Sequence, residues 1–101
     1  MPNSLAIAHK FEQFVSLYGD DPFISKTISK MVSTRVATLN KELKSVQQAL
    51  CRFERIYGKT SEIFFKEYQD GAAGDDRDFI EWSSIIMMRD RLLAELTALQ
   101  A

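Results

Sequence analysis

Between Asp70 and Glu81, carboxylates stand at the first, ninth and twelfth places of a twelve-residue window, much as an EF-hand loop surrounds a calcium ion with oxygen ligands. The middle of the window departs from that pattern. Ala72 and Gly74 occupy the third and fifth places, where ligands are needed, and Asp75 takes the sixth, where glycine makes the sharp turn. Carboxylates gathered at a helix N-terminus, favoured there by the dipole, account for the cluster without a metal. Alternatively, Glu67, Asp70, Asp75, Asp76, Asp78 and Glu81 form an acidic elbow that docks onto a basic protein, with charge complementarity setting on-rate and specificity. Trp82 beside it is then an anchor of that contact, or else, at helical spacing from Phe79 and Ile86, a core residue.

The remaining residues that carry chemistry stand alone. His9 is the single histidine and Cys51 the single cysteine, so neither a histidine-based metal site nor a Cys-His pair can be assembled within one chain. Arg52 and Arg55 lie near Cys51, but no base accompanies it. No Gly-rich phosphate loop, Ser-His-Asp order or zinc spacing occurs. The expectation is a non-enzyme with no cofactor and no metal.

The elements that position these residues are helical by composition and period. Two prolines and four glycines in 101 residues leave little turn chemistry for a β fold. Ile7, Phe11, Phe14, Val15 and Tyr18 recur at helical spacing and predict a short helix at about 4–18. Tyr18-Gly19-Asp20-Asp21-Pro22 then joins a stop to a start: Gly19 suits a left-handed C′ position, Asp21 a cap and Pro22 the first helical place.

From there Val32, Val36, Leu39, Leu43, Val46, Leu50, Phe53 and Tyr57 follow at alternating steps of 4 and 3. That is an unbroken heptad seam, and it predicts one coiled-coil-like helix at about 22–57. At about 1.5 Å per residue such a helix is roughly 54 Å long and needs cover along its length. The flanking positions, among them Ala49 and Ile56, are poor in opposite charges and suit a bundle of three or more helices better than a two-stranded zipper. Gly58 ends the helix, Thr60 and Glu62 open a short one at about 61–70, and Phe79 to Leu99 mark a last one at about 76–99, with Asp78 and Glu81 spaced as a capping box. The whole is expected to be a single helical domain, 1–101, in which the long helix and the last one form a hairpin with an elbow. The same seam is expected to build a dimeric bundle.

Charge is divided along the chain. Pro22 to Lys59 carries eight basic residues against two acidic ones, and Thr60 to Ala101 four against nine. The basic second helix supports a competing reading as a DNA-binding transcriptional regulator, with Leu5 to Ala8 as the strand of a ribbon-helix-helix unit. Against it, that strand would display Leu, Ala, Ile and Ala instead of polar side chains for base edges, and the basic residues are expected to spread around the rod. No apolar run approaches the roughly 20 residues needed to span a bilayer, and the N-terminus lacks the pattern of a signal peptide, so the expected compartment is the cytoplasm.

Phe53-Glu54-Arg55-Ile56-Tyr57-Gly58, Ser61-Glu62-Ile63-Phe64 and Gly71 to Trp82 together resemble a group of small uncharacterised prokaryotic helical proteins with the pattern F-E-x-x-Y-G followed by G-x-x-G-D-D-x-D-F-x-E-W. The resemblance covers the C-terminal half. Members of the group look similar to antitoxin-type partners of small toxin genes. The resemblance implies an interaction protein that neutralises a toxin-like partner, with its surface at Asp75, Asp76, Asp78, Glu81 and Trp82; the seam and the acidic elbow make the expectation a homodimer and its partner basic. Lys59 stands where the group often has methionine, which leaves out any contact built on that side chain.

Overall fold

The computed structural model describes residues 3–101, and every regular element in them is an α-helix: α1 (Ser4–Tyr18), α2 (Pro22–Tyr57), α3 (Ser61–Gln69) and α4 (Arg77–Gln100). The predicted all-α architecture and the single 36-residue helix across the heptad seam are both present. Leu5 to Ala8, the strand of the ribbon-helix-helix alternative, lies inside α1. Asn3 caps that helix by accepting the Leu5 N–H, and a helix so nucleated absorbs the segment.

The chain divides by packing into two compact units, Met1–Arg35 and Val36–Ala101. In the first unit none of the described residues is buried, and the apolar stripe of α1 remains largely open, with Phe11 and Phe14 46% and 41% exposed. Asp21 caps α2 as the sequence predicts, accepting from the N–H groups of Phe23 and Ile24 at 2.8 and 3.3 Å. Gly19 differs from expectation. Its φ is −63°, in the right-handed region. The Gly19 N–H still donates to the Val15 carbonyl and the Asp21 N–H to Tyr18, so the turn closes with helical hydrogen bonds and requires no left-handed residue.

The second unit has the core. Leu39, Val46 and Leu50 of α2, Phe64 of α3, and Trp82, Ile86, Leu92 and Leu96 of α4 are buried together, and Val36, Leu43, Phe53 and Tyr57 pack half-buried against them. From Val36 onward the heptad seam is thus covered by the chain's own α3 and α4. Val32 belongs to the first unit and is half-buried there. Gly58 ends α2 at φ +64°, and Gly71 and Gly74, at +78° and +85°, turn the linker between α3 and α4 through the left-handed region that glycine enters at least cost.

Candidate functional site

The elbow where α2, α3 and α4 meet is built from three aromatic side chains around one indole. Trp82 stacks on Phe64 with ring centroids 3.9 Å apart and planes 1° from parallel, and on Phe53 at 5.5 Å. Tyr57 covers a further side at 5.7 Å and meets Phe79 edge-on at 5.2 Å. Trp82 itself is 0% exposed. Its expected role as a surface anchor is therefore corrected: the indole, flanked by apolar residues at helical spacing, is drawn into the core by the large apolar area it buries.

Polar groups tie the same elbow. The Trp82 indole N–H donates to the Ser61 hydroxyl at 3.0 Å, and Ser61 is itself fully buried. The Ser61 N–H, at the open N-terminus of α3, donates to the Glu54 carboxylate at 2.7 Å. The Thr60 hydroxyl accepts from the Ile63 N–H in the same turn. The Glu54 and Thr60 acceptors satisfy backbone donors that helix geometry leaves without an internal partner.

On the α4 side the Tyr57 hydroxyl donates to the Asp78 carboxylate at 2.5 Å. That hydrogen bond, with burial and the nearby charges of Asp78 and Asp76, pushes the phenol up from 10.0 to about 12. Asp78 is thereby engaged, and the cap of α4 falls to Asp76, which accepts the Asp78 N–H at 2.9 Å. The expected Asp78–Glu81 capping box is replaced by this arrangement. A carboxylate held by a phenol across the elbow is not free to turn back onto its own helix.

The predicted acidic surface therefore separates by environment. Asp76 and Asp78 are tied within the chain, and Glu67 is paired with Lys59 at 2.8 Å. Asp75 and Glu81 are exposed and make no hydrogen bond or ion pair among the described residues. Ile80, the chain neighbour of Glu81, and Met87 further along α4 are exposed apolar side chains, 48% and 55% exposed, outside the predicted surface. The signal was present in the helical spacing: Ile80 falls off the core-facing row of Phe79, Trp82 and Ile86.

Among the described residues no three His, Cys, Asp or Glu side chains stand close enough to hold a metal ion, and no helix is long and apolar enough to cross a membrane. No family model, curated protein or solved structure matches the chain. The stretch from Phe53 to Trp82 is a structural clamp: Phe53, Glu54, Tyr57, Ser61, Asp78, Phe79 and Trp82 are satisfied by one another.

Proposed function

We propose that this chain is a non-enzymatic protein-interaction module, a clamped helical elbow whose N-terminal helices self-associate with a second copy. The observation that carries this reading is that α1 has no buried residue although Ile7, Phe11, Phe14 and Tyr18 form one apolar stripe along it. An isolated helix of this length is marginal in water and takes most of its stability from packing an apolar face. With Phe23 and Met31 of α2, also exposed, these six side chains leave on the order of 600 Å² of apolar area open, against roughly 800 Å² per partner in a stable interface. The near balance of charge in residues 1–35, four basic against three acidic, leaves no strong repulsion between copies.

Light scattering tests the reading. The full chain is expected at twice its 11.6 kDa mass, and Phe11→Glu with Phe14→Glu at the monomer mass with its Trp82 fluorescence unchanged. A wild-type monomer at micromolar concentration overturns it.

A second reading is supported by Asp75 and Glu81, exposed without partners, and by the exposed Ile80 that precedes Glu81 in α4. Here the module is an antitoxin-like neutraliser of a basic protein, bound at the elbow by two free carboxylates around an apolar contact. Pull-down of the neighbouring gene's product with Asp75→Asn and Glu81→Gln tests it, and unchanged capture by the double variant removes the elbow from the account.

A further inference from the structure

One face of α2 in the second unit is basic and open to solvent. At 100° per residue, Lys41, Lys44, Arg52 and Arg55 fall within an arc of roughly 80°, over about 21 Å of helix. The expectation that the basic residues spread around the rod is corrected here: an unbroken helix gathers these four onto one side. The two acids of the same stretch lie elsewhere on the helix, and Glu54 is engaged by the Ser61 N–H. Among the described residues, none of the four cations takes part in a salt bridge; the ion pairs present belong to Lys59 and Arg89. Lys44, Arg52 and Arg55 line an open surface groove between the side chains of this one helix, together with Gln48 and Cys51.

We propose that this face of α2 holds the phosphate backbone of duplex nucleic acid. Four unpaired cations in a row, opposite the core, make a linear positive potential that an extended polyanion matches along its whole length. The neutral residues between them decide among polyanions. Ser45, Gln47 and Gln48 are polar hydrogen-bonding groups suited to phosphate and sugar oxygens. A membrane-surface helix instead needs apolar residues beside its cations, and the apolar face of this part of α2 is turned inward against the core. Single-stranded nucleic acid is bound through aromatic stacking platforms, and no aromatic residue lines the groove. The contact is to the backbone, so binding is sequence-independent and salt-sensitive. It does not depend on self-association through α1.

Cys51, exposed in the middle of the groove, reports on occupancy directly. The experiment follows the rate at which an uncharged maleimide modifies Cys51 in the full chain, alone and with short duplex DNA, duplex RNA or anionic phospholipid vesicles. Either duplex is expected to slow modification at about 50 mM salt. The apparent affinity is expected to fall on the order of 100-fold by about 200 mM, as four phosphate contacts imply. In Lys44→Gln with Arg55→Gln, two contacts remain and the same change in salt is expected to cost only about tenfold. Absence of protection by both duplexes, an unchanged salt dependence in the double variant, or protection by vesicles as strong as by a duplex overturns the proposal. Circular dichroism and Trp82 fluorescence verify that the variant retains its fold.

Discussion

The indole N–H of Trp82 and the hydroxyl of Ser61, 21 residues apart, meet at 3.0 Å with both residues shut off from water. This bond joins the start of α3 to the core-facing side of α4. It also explains why a serine sits at a fully buried position, since the hydroxyl accepts from the one polar group of the largest core side chain. Among the described residues no buried side-chain nitrogen or oxygen lacks a partner.

Removing either member strands the other. Trp82→Phe leaves the Ser61 hydroxyl buried without its donor, and Ser61→Ala leaves the indole N–H unsatisfied; each is expected to cost about 1–3 kcal/mol. Because the penalty in each single variant is partly that of an orphaned group, the double variant should cost less than the two combined, by on the order of 1 kcal/mol. Denaturant unfolding of the four proteins measures this. Strict additivity would show that the bond contributes nothing.

The Tyr57–Asp78 bond makes a prediction about pH. The phenol is protonated while it donates, so its folded value, about 12, lies above the unfolded 10.0. A group raised on folding stabilises the native state fully below its unfolded value. That contribution is lost as pH rises from about 10 towards 12. The melting temperature of wild type should therefore exceed that of Tyr57→Phe by the same margin at pH 7 and pH 9, and the margin should shrink at pH 11. A margin independent of pH across that range would disprove the bond's role.

Much of this fold is legible in the sequence because its determinants are local. The 4,3 ladder from Val32 to Tyr57 dictates one helix whatever covers it, and Asp21-Pro22 and Thr60 are start signals whose side chains reach only their own first turns. The site was harder to read because its determinants are long-range. The sequence shows Asp76 and Asp78 as equals, and only the approach of Tyr57 from another helix makes one a clamp and the other a cap. Trp82 was ambiguous for the same reason, since spacing places it on a face without saying which face is covered. The basic row on α2 follows from helical geometry alone, and it emerges once the cations are projected around the helix axis.

The division of the acidic cluster predicts a division of phenotypes. Asp76→Ala removes the α4 cap and should destabilise by about 1 kcal/mol. Asp75→Asn and Glu81→Gln touch no partner within the chain and should shift stability by less than about 0.5 kcal/mol, as surface changes do. Thermal melts of the three variants check this. A large loss on changing Asp75 would mean that it is structural and unavailable to any partner.

Glu54 offers the sharpest test of the elbow. It sits three residues before Tyr57 in the last turns of α2, yet its carboxylate caps the next helix by accepting the Ser61 N–H at 2.7 Å. A charged acceptor at a helix N-terminus gains both the hydrogen bond and the favourable end of the dipole. Glu54→Gln keeps an acceptor oxygen but loses the charge, and is expected to cost about 1 kcal/mol. Glu54→Ala leaves a part-buried N–H without its acceptor and should cost about 1.5–3 kcal/mol. Hydrogen exchange locates the effect: with Glu54→Ala the amides of Ser61 to Phe64 should lose protection before those of α2 around Leu39 do. Equal loss of protection throughout the second unit would mean that Glu54 supports the fold as a whole, without a specific role at the junction of α2 and α3.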